Sequence, residues 1–252
     1  MGRKSAGLNF ETIISLKPDL VILYAQMDGP GVGRRLKAMG IQAITIIPES
    51  FDTIAQALML MAKATGCEER ANQVNREMDK IRQLLNTRLG TIPEEKKRSG
   101  YFASTLGFFS TTTANMIQHE IMTHAGVTNV SAQLSGYFQD ISPEQLIRWN
   151  PDLILASRFL PQSQTRYLKN KALQRISAIQ SNQVYRCPSS LAPWDFPSPL
   201  SILAALWLAD KAYPEKFEDL NYQAIVENYH RLLFGMGLEE MGGRIADELE
   251  IQ

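Results

Sequence analysis

Glu11-Thr12-Ile13-Ile14-Ser15-Leu16-Lys17-Pro18-Asp19-Leu20-Val21-Ile22-Leu23 and Glu144-Gln145-Leu146-Ile147-Arg148-Trp149-Asn150-Pro151-Asp152-Leu153-Ile154-Leu155 are two copies of one pattern. Glu11 and Glu144 are 133 residues apart, and so are Pro18 and Pro151. Each copy reads as a short amphipathic helix, a Pro-Asp turn and a nearly continuous apolar run. The proline disfavours helical backbone in the residue before it and so stops the helix. The apolar run is how a parallel strand covered on both faces reads. One copy is a common αβ unit. Two in register predict two similar lobes side by side. Ligands of open α/β sheets bind beyond the carboxyl ends of the strands, so facing lobes would form a cleft there.

Working outward, Asn9 is an N-cap for the first helix. A turn at Gly29–Gly33, a helix to Met39 and a strand over Ile41–Ile47 follow. Next is a helix from Phe51 to Thr65, closed by Gly66. Ala71, Val74, Met78, Ile81, Leu85 and Leu89 recur at three or four, which predicts one long helix from Glu68. Pro93 and the charged run Glu94–Arg98 mark a lobe boundary. Beyond it, strands are predicted at Gly100–Ala103, Leu153–Ala156 and Val184–Cys187. Helices are predicted at Asn115–His124, Ser142–Asn150, Leu200–Ala212 and Tyr222–Phe234. The tail from Gly235 is rich in Gly and charge, and is expected to be loosely held. Strand and helix alternate in both halves, so the class is α/β with largely parallel sheets.

The 252 residues are 44% hydrophobic and 21% charged, with 26 Lys plus Arg against 26 Asp plus Glu. That neutrality argues against a nucleic-acid partner, which calls for surplus positive charge. No apolar run reaches the roughly 20 residues that span a bilayer. The basic start Met1–Ser5 is followed by no apolar core, so the chain as given carries no signal peptide. Cys67 and Cys187 are far apart and read as spectators rather than a redox pair, although sequence alone leaves their pairing open. His119 and His124 are five apart, on different faces of a helix. No direct metal site is expected; a metal would arrive already wrapped in its own ligand.

The motifs resemble a known family. Asn9-x-Glu11 with Leu16–Ile22 resembles the periplasmic binding proteins for ferric siderophores, haem and vitamin B12. Ala125-Gly126-x-x-Asn129-Val130 is similar to a second-lobe segment of that family, with Val127 in place of a glycine. Ser142–Leu146 with Asn150–Asp152 is similar to its second docking helix. The resemblance runs from about Asn9 to Phe234. It implies two α/β lobes, residues 1–67 and 98–235, joined by one long helix over 68–92 and followed by a tail over 236–252. It also implies that Glu11 and Glu144 dock on a dimeric membrane permease of an ABC importer. Without the resemblance, each is equally an acid in a first helical turn, favoured there by the helix dipole. Only eight residues precede Asn9, so the first lobe is expected to be incomplete, lacking a strand and part of the cleft wall. The implied location is periplasmic, or lipid-anchored outside the cytoplasm.

Cleft candidates come from segments after strands: Tyr24 and Gln26, Ser110, Thr111 and Thr112 in a polar loop, Arg158, and Trp194 with Asp195. An aromatic ring with a nearby guanidinium suits a flat or anionic chelate. Trp194 is equally a packed loop anchor, Arg158 a solvated charge, and Ser110–Thr112 a helix-capping run. The expected ligand is a ferric chelate or another metal compound. Trp194–Pro199, Leu206–Ala209 and Tyr213–Phe217 resemble a branch of the family that includes binders of oxyanions such as molybdate. Oxyanion, haem and corrinoid therefore stay open beside an iron chelate. The protein is expected to be a monomer without a cofactor, and not an enzyme. The enzyme alternative rests on Gly29-Pro30-Gly31-Val32-Gly33, but its spacing is GxGxG and Pro30 removes a backbone donor.

Overall fold

The computed structural model describes residues 9–25 and 29–249. The chain divides into two compact units, Met1–Ile47 and Pro48–Gln252. In the first, helix α1 (Phe10–Leu16) leads to strand β1 (Val21–Tyr24), helix α2 (Gly29–Ala38) and strand β2 (Ala43–Ile46). β1 and β2 pair in parallel, with Val21 opposite Ala43. Leu23 and Leu36 are buried, and the Arg35 guanidinium lies 4.0 Å from the centre of the Phe10 ring. Ile14, Leu16, Ile22, Tyr24, Met39 and Ile47 are exposed.

The sequence predicts a turn over Gly29–Gly33, whereas the helix starts at Gly29 itself. Gly33 explains why a glycine serves inside it. A Cβ there would already touch Thr45 Oγ1 at 3.5 Å and Leu23 Cδ1 at 3.6 Å, so the helix backbone runs close over β1 and β2.

The second unit opens with α3 (Phe51–Thr65) and α4 (Glu68–Leu89). Ser50 and Thr53 form a reciprocal capping box on α3, and Gly66 ends it in the left-handed conformation. α3 packs along α4. Asn75 Nδ2 donates to the Ala55 carbonyl at 3.4 Å, and Arg82 pairs with Asp52 at 2.8 Å. The buried residues of α4 are the six that its periodicity picked out. With 22 residues α4 is about 33 Å long. Its far end is pinned by Arg88, which holds the Asp219 carboxylate through two bonds of 2.6 and 2.9 Å.

Next come β3 (Arg98–Ala103), β4 (Ser110–Thr112), α5 (Ile117–His124), β5 (Val127–Asn129) and β6 (Phe138–Asp140). They are followed by α6 (Pro143–Trp149), β7 (Leu153–Ala156), α7 (Ser177–Gln180), β8 (Val184–Arg186), α8 (Ser201–Ala212) and α9 (Tyr222–Phe234). β5, β3, β7 and β8 form a parallel sheet in that order, while β4 and β6 pair antiparallel. Alternation along the central strands sorts side chains to two cores. Phe102, Leu153 and Leu155 join α4, α5 and α8 on one face. Tyr101, Ala103, Ile154 and Ala156 join Leu146 of α6 and Ala178 of α7 on the other. This two-sided burial is why β7 reads as an unbroken apolar run.

The two αβ copies also match in backbone. Asn9 caps α1 by accepting from the Thr12 N–H, and Ser142 caps α6 by accepting from the Gln145 N–H. Lys17 and Asn150, again 133 apart, end the two helices with φ of 48° and 45°. In the second copy the Pro-Asp turn is stitched to β3. Asp152 Oδ2 accepts from both the N–H and the hydroxyl of Ser99, each at 2.8 Å.

The tail corrects its sequence expectation. Leu238 is fully buried. Beyond it the chain runs along the edge strand β8, where the Arg186 N–H donates to the Asp247 carbonyl at 3.0 Å. The Asp247 carboxylate accepts from Trp207 Nε1 and pairs with Lys211, both at 2.8 Å. Covering the edge satisfies backbone groups that would otherwise invite another strand.

Candidate functional site

The carboxyl ends of the second unit's parallel strands bring a set of polar side chains together. β7 ends at Ala156, and Ser157 and Arg158 follow. Asp195 reaches across from the segment after β8. Its Oδ2 accepts from Ser157 Oγ at 2.6 Å and from the Arg158 N–H at 3.2 Å. Its carbonyl accepts from Gln118 Nε2 of α5 at 2.7 Å. Asp195 is buried, and Oδ1 has no hydrogen-bond partner among the described residues. Burial pushes its carboxyl up to about 6, against the lowering effect of the Ser157 and Arg158 bonds.

Trp194 is fully buried, its backbone N–H bonded to the Pro188 carbonyl and its ring 6.0 Å from that of His230. The exposed aromatics here are its neighbour Phe196 and Phe159, which meet edge-to-face at 5.4 Å. Sequence reasoning passed over both. Phe159 directly follows Arg158 and Phe196 directly follows Asp195, so their position after the strands was the available signal. The Arg158 guanidinium donates to the Ala246 carbonyl of the tail at 3.2 Å.

Ser110, Thr111 and Thr112 are neither a loop nor a capping run: they form β4, paired with Asp140, Gln139 and Phe138. Such a short polar strand carries no apolar pattern by which a sequence could betray it. All three are buried. Thr111 Oγ1 lies 3.1 Å from Ser131 Oγ, which donates to Asn129 Oδ1 at 2.7 Å. Tyr24 ends β1, exposed, in the unit Met1–Ile47. Gln26 lies outside the described residues.

Glu11 and Glu144 are exposed in the first turns of α1 and α6. The Glu144 carboxylate is held below its usual range by its own backbone N–H and by Ser142. His119 and His124 do not form a metal cluster: among the described residues no group of three or more His, Cys, Asp or Glu could hold an ion. Cys67 is exposed, Cys187 is buried, and both are free thiols. No helix among the described residues is long and apolar enough to cross a membrane.

Residues 3–191 match the family described as periplasmic binding protein. The chain belongs to that family. A molybdate-binding protein of Haemophilus influenzae, MolA, is 25% identical over 248 residues, covering 90% of this chain and 70% of the relative. The structure of MolA bound to molybdate superimposes with a TM-score of 0.82 at 23% identity, over 91% of this chain and 76% of that one. An ABC transporter substrate-binding lipoprotein of Bacillus subtilis, YvrC, is 25% identical over 222 residues, covering 84% of this chain and 67% of the relative. Helicobacter pylori CeuE with Ni(II) bound superimposes with a TM-score of 0.81 at 24% identity, over 94% of this chain and 76% of that one. The periplasmic binding protein fold accounts for the parallel α/β sheets described above.

Proposed function

We propose that the protein is the substrate-binding component of an ABC importer that captures an iron chelate of the siderophore type and delivers it to a membrane permease. The observation that carries this reading is the matched pair of acids. Glu11 and Glu144 stand exposed at the same position of two short, identically capped helices. A two-fold permease presents two equivalent basic surfaces, and one carboxylate per half of the binding protein is complementary to them. In this reading residues 1–67 and 98–235 are the lobes, 68–92 the connecting helix, and the protein works as a monomer outside the cytoplasm, in the periplasm or on a lipid anchor. It binds and hands over; it does not catalyse.

In the second unit the cargo meets the exposed rings of Phe159 and Phe196 and the half-buried Arg158, while Asp195 is buried and positions the two rings and the β4 hydroxyls are buried. Tyr24 is an exposed candidate of the first unit taken by itself. Exposed rings suit flat ligand arms, and a guanidinium suits an anionic ligand. A second reading, a metal oxyanion such as molybdate, is favoured by the likeness to a molybdate-binding protein over 90% of this chain. Fluorescence quenching with a ferric chelate, haem, a corrinoid and molybdate separates these cargoes, and saturation by the ferric chelate alone is the expected result. Reversing both charges, Glu11→Lys with Glu144→Lys, is expected to abolish uptake and leave affinity intact. Unchanged uptake, or lost affinity, would contradict the docking role.

A further inference from the structure

Among the described residues, the hydrogen bond that the Arg158 guanidinium makes goes to the tail, to the Ala246 carbonyl at 3.2 Å. The tail is anchored on both sides of that carbonyl. Before it, the Arg244 N–H donates to Ser190 Oγ at 2.9 Å, and the Ser190 N–H donates back to the Arg244 carbonyl at 3.0 Å. After it, Asp247 accepts from the Arg186 N–H through its carbonyl and binds Trp207 and Lys211 through its carboxylate. Ile245 packs against one core and Leu249 against the other. Between these anchors Ala246 takes the left-handed conformation, with φ of 49°. Such backbone is uncommon for a residue with a side chain, and it persists where the surroundings impose it. Here the outlier is the residue whose carbonyl meets Arg158.

We infer that the docked tail positions Arg158 for an anionic cargo, with Asp247 as the positioning residue that acts through it. The inference rests on the reading of Arg158 as a cargo contact. Arg158 is held at both ends, its backbone N–H by Asp195 Oδ2 and its guanidinium by the Ala246 carbonyl. A carbonyl orients a guanidinium without neutralising it. The charge and the remaining N–H donors stay available to a ligand. An arginine ordered before the ligand arrives spares the complex the cost of ordering it. A carboxylate repels an anion, so the help that Asp247 gives an anionic cargo passes through geometry rather than through its own field. Docking and binding are then linked: the tail holds Arg158 for the cargo, and the bound cargo holds the tail in place.

The test is fluorescence titration of the full chain with two probes, an anionic ferric tris-catecholate and an uncharged ferric tris-hydroxamate. The readout is the ratio of the first affinity to the second. Asp247→Ala is expected to lower that ratio by about three- to tenfold, the scale of ordering one long side chain. The lost negative charge by itself would raise the ratio, so the sign separates positioning from electrostatics. In an Arg158→Ala background the same substitution is expected to lose its effect. Asp247→Asn keeps an acceptor for Trp207 and removes the ion pair, so it serves where Asp247→Ala fails to fold, and the ratio is expected to fall there too. In the parent, saturation with the anionic probe is expected to slow hydrogen exchange at the Arg186 amide. A raised ratio in either Asp247 variant, or faster exchange on binding, would mean that the tail competes with the cargo, and overturns the proposal. A ratio that falls in Arg158→Ala but in neither Asp247 variant also overturns it, and leaves the importer reading standing. A ratio that Arg158→Ala does not move, or no binding of either probe, overturns the proposal through the reading on which it rests.

Discussion

The hydroxyl of Ser157 donates to Oδ2 of Asp195 over 2.6 Å, joining the segment after β7 to the segment after β8. The Arg158 N–H on the same oxygen makes the joint two-pronged. Since Phe159 and Phe196 flank it, one buried carboxylate fixes the spacing of the two exposed rings. The same unit holds a second carboxylate, Asp247, with the opposite electrostatic balance. Burial would raise it as well, but the bonds from Lys211 and Trp207 outweigh burial and hold it below the usual range.

The two carboxylates therefore predict opposite pH linkages. For Asp195 the folded state holds its proton more tightly than the unfolded chain does. Its contribution is most favourable in acid and declines as pH rises from about 4 to about 6, by on the order of 3 kcal/mol. Asp195→Asn keeps an oxygen to accept from Ser157 and Arg158 but cannot titrate. Urea midpoints across that range are expected to fall less steeply for the variant than for the parent. Parallel profiles would refute the assignment.

For Asp247 the sign reverses. Its contribution is present above the unfolded carboxylate range and is lost as pH falls through the lower folded value. Asp247→Ala also strands the buried Trp207 N–H, at a cost of about 1–3 kcal/mol. Hydrogen exchange is expected to speed up over 244–249 and at the Arg186 amide, while β3 and β7 keep their protection. Unchanged exchange in the tail would show that other contacts hold it.

Much of this was legible in sequence for one physical reason: regular elements repeat their burial. The six inward residues of α4 and the unbroken run of β7 are periodic signals. The left-handed ends of α1 and α6 were marked by a following proline. The pieces that escaped are single-residue anchors between distant positions. Nothing in the order of residues says that Asp247 meets Trp207, that Leu238 is buried, or that Ser110–Thr112 pair with Phe138–Asp140. At the site, the segments after the strands were found, but not which side chain faces out. Trp194 and Phe196 stand two apart, and the larger ring turned inward.

That inversion yields a ligand prediction. Phe196→Ala removes an exposed ring while leaving the Ser157–Asp195 joint, and is expected to weaken a chelate with flat ligand arms by about tenfold, the scale of one aromatic contact. Arg158→Ala is expected to weaken an anionic ligand and spare a neutral one. Titration of both variants against a charged and an uncharged chelate checks this. Full affinity in Phe196→Ala would remove that ring from the site.

Gly100 tests the sheet that carries these segments. It lies in β3, opposite Asn129 of β5 and Leu153 of β7. Glycine inside a strand ordinarily weakens it, so alanine would normally be tolerated or better. Here a Cβ would sit 2.7 Å from Val127 Cγ1 and 3.5 Å from Met122 Sδ. Val127 is buried and β-branched, so its methyl cannot swing aside freely. The clash decides the sign, and Gly100→Ala is expected to cost about 1–3 kcal/mol. Val127→Ala alone opens a small cavity and also destabilises. In the double variant the new methyl occupies the space that the valine vacates. The two costs should therefore fall short of additive by at least about 0.5 kcal/mol, which a denaturation cycle resolves. Strict additivity would mean that Gly100 is not held by Val127.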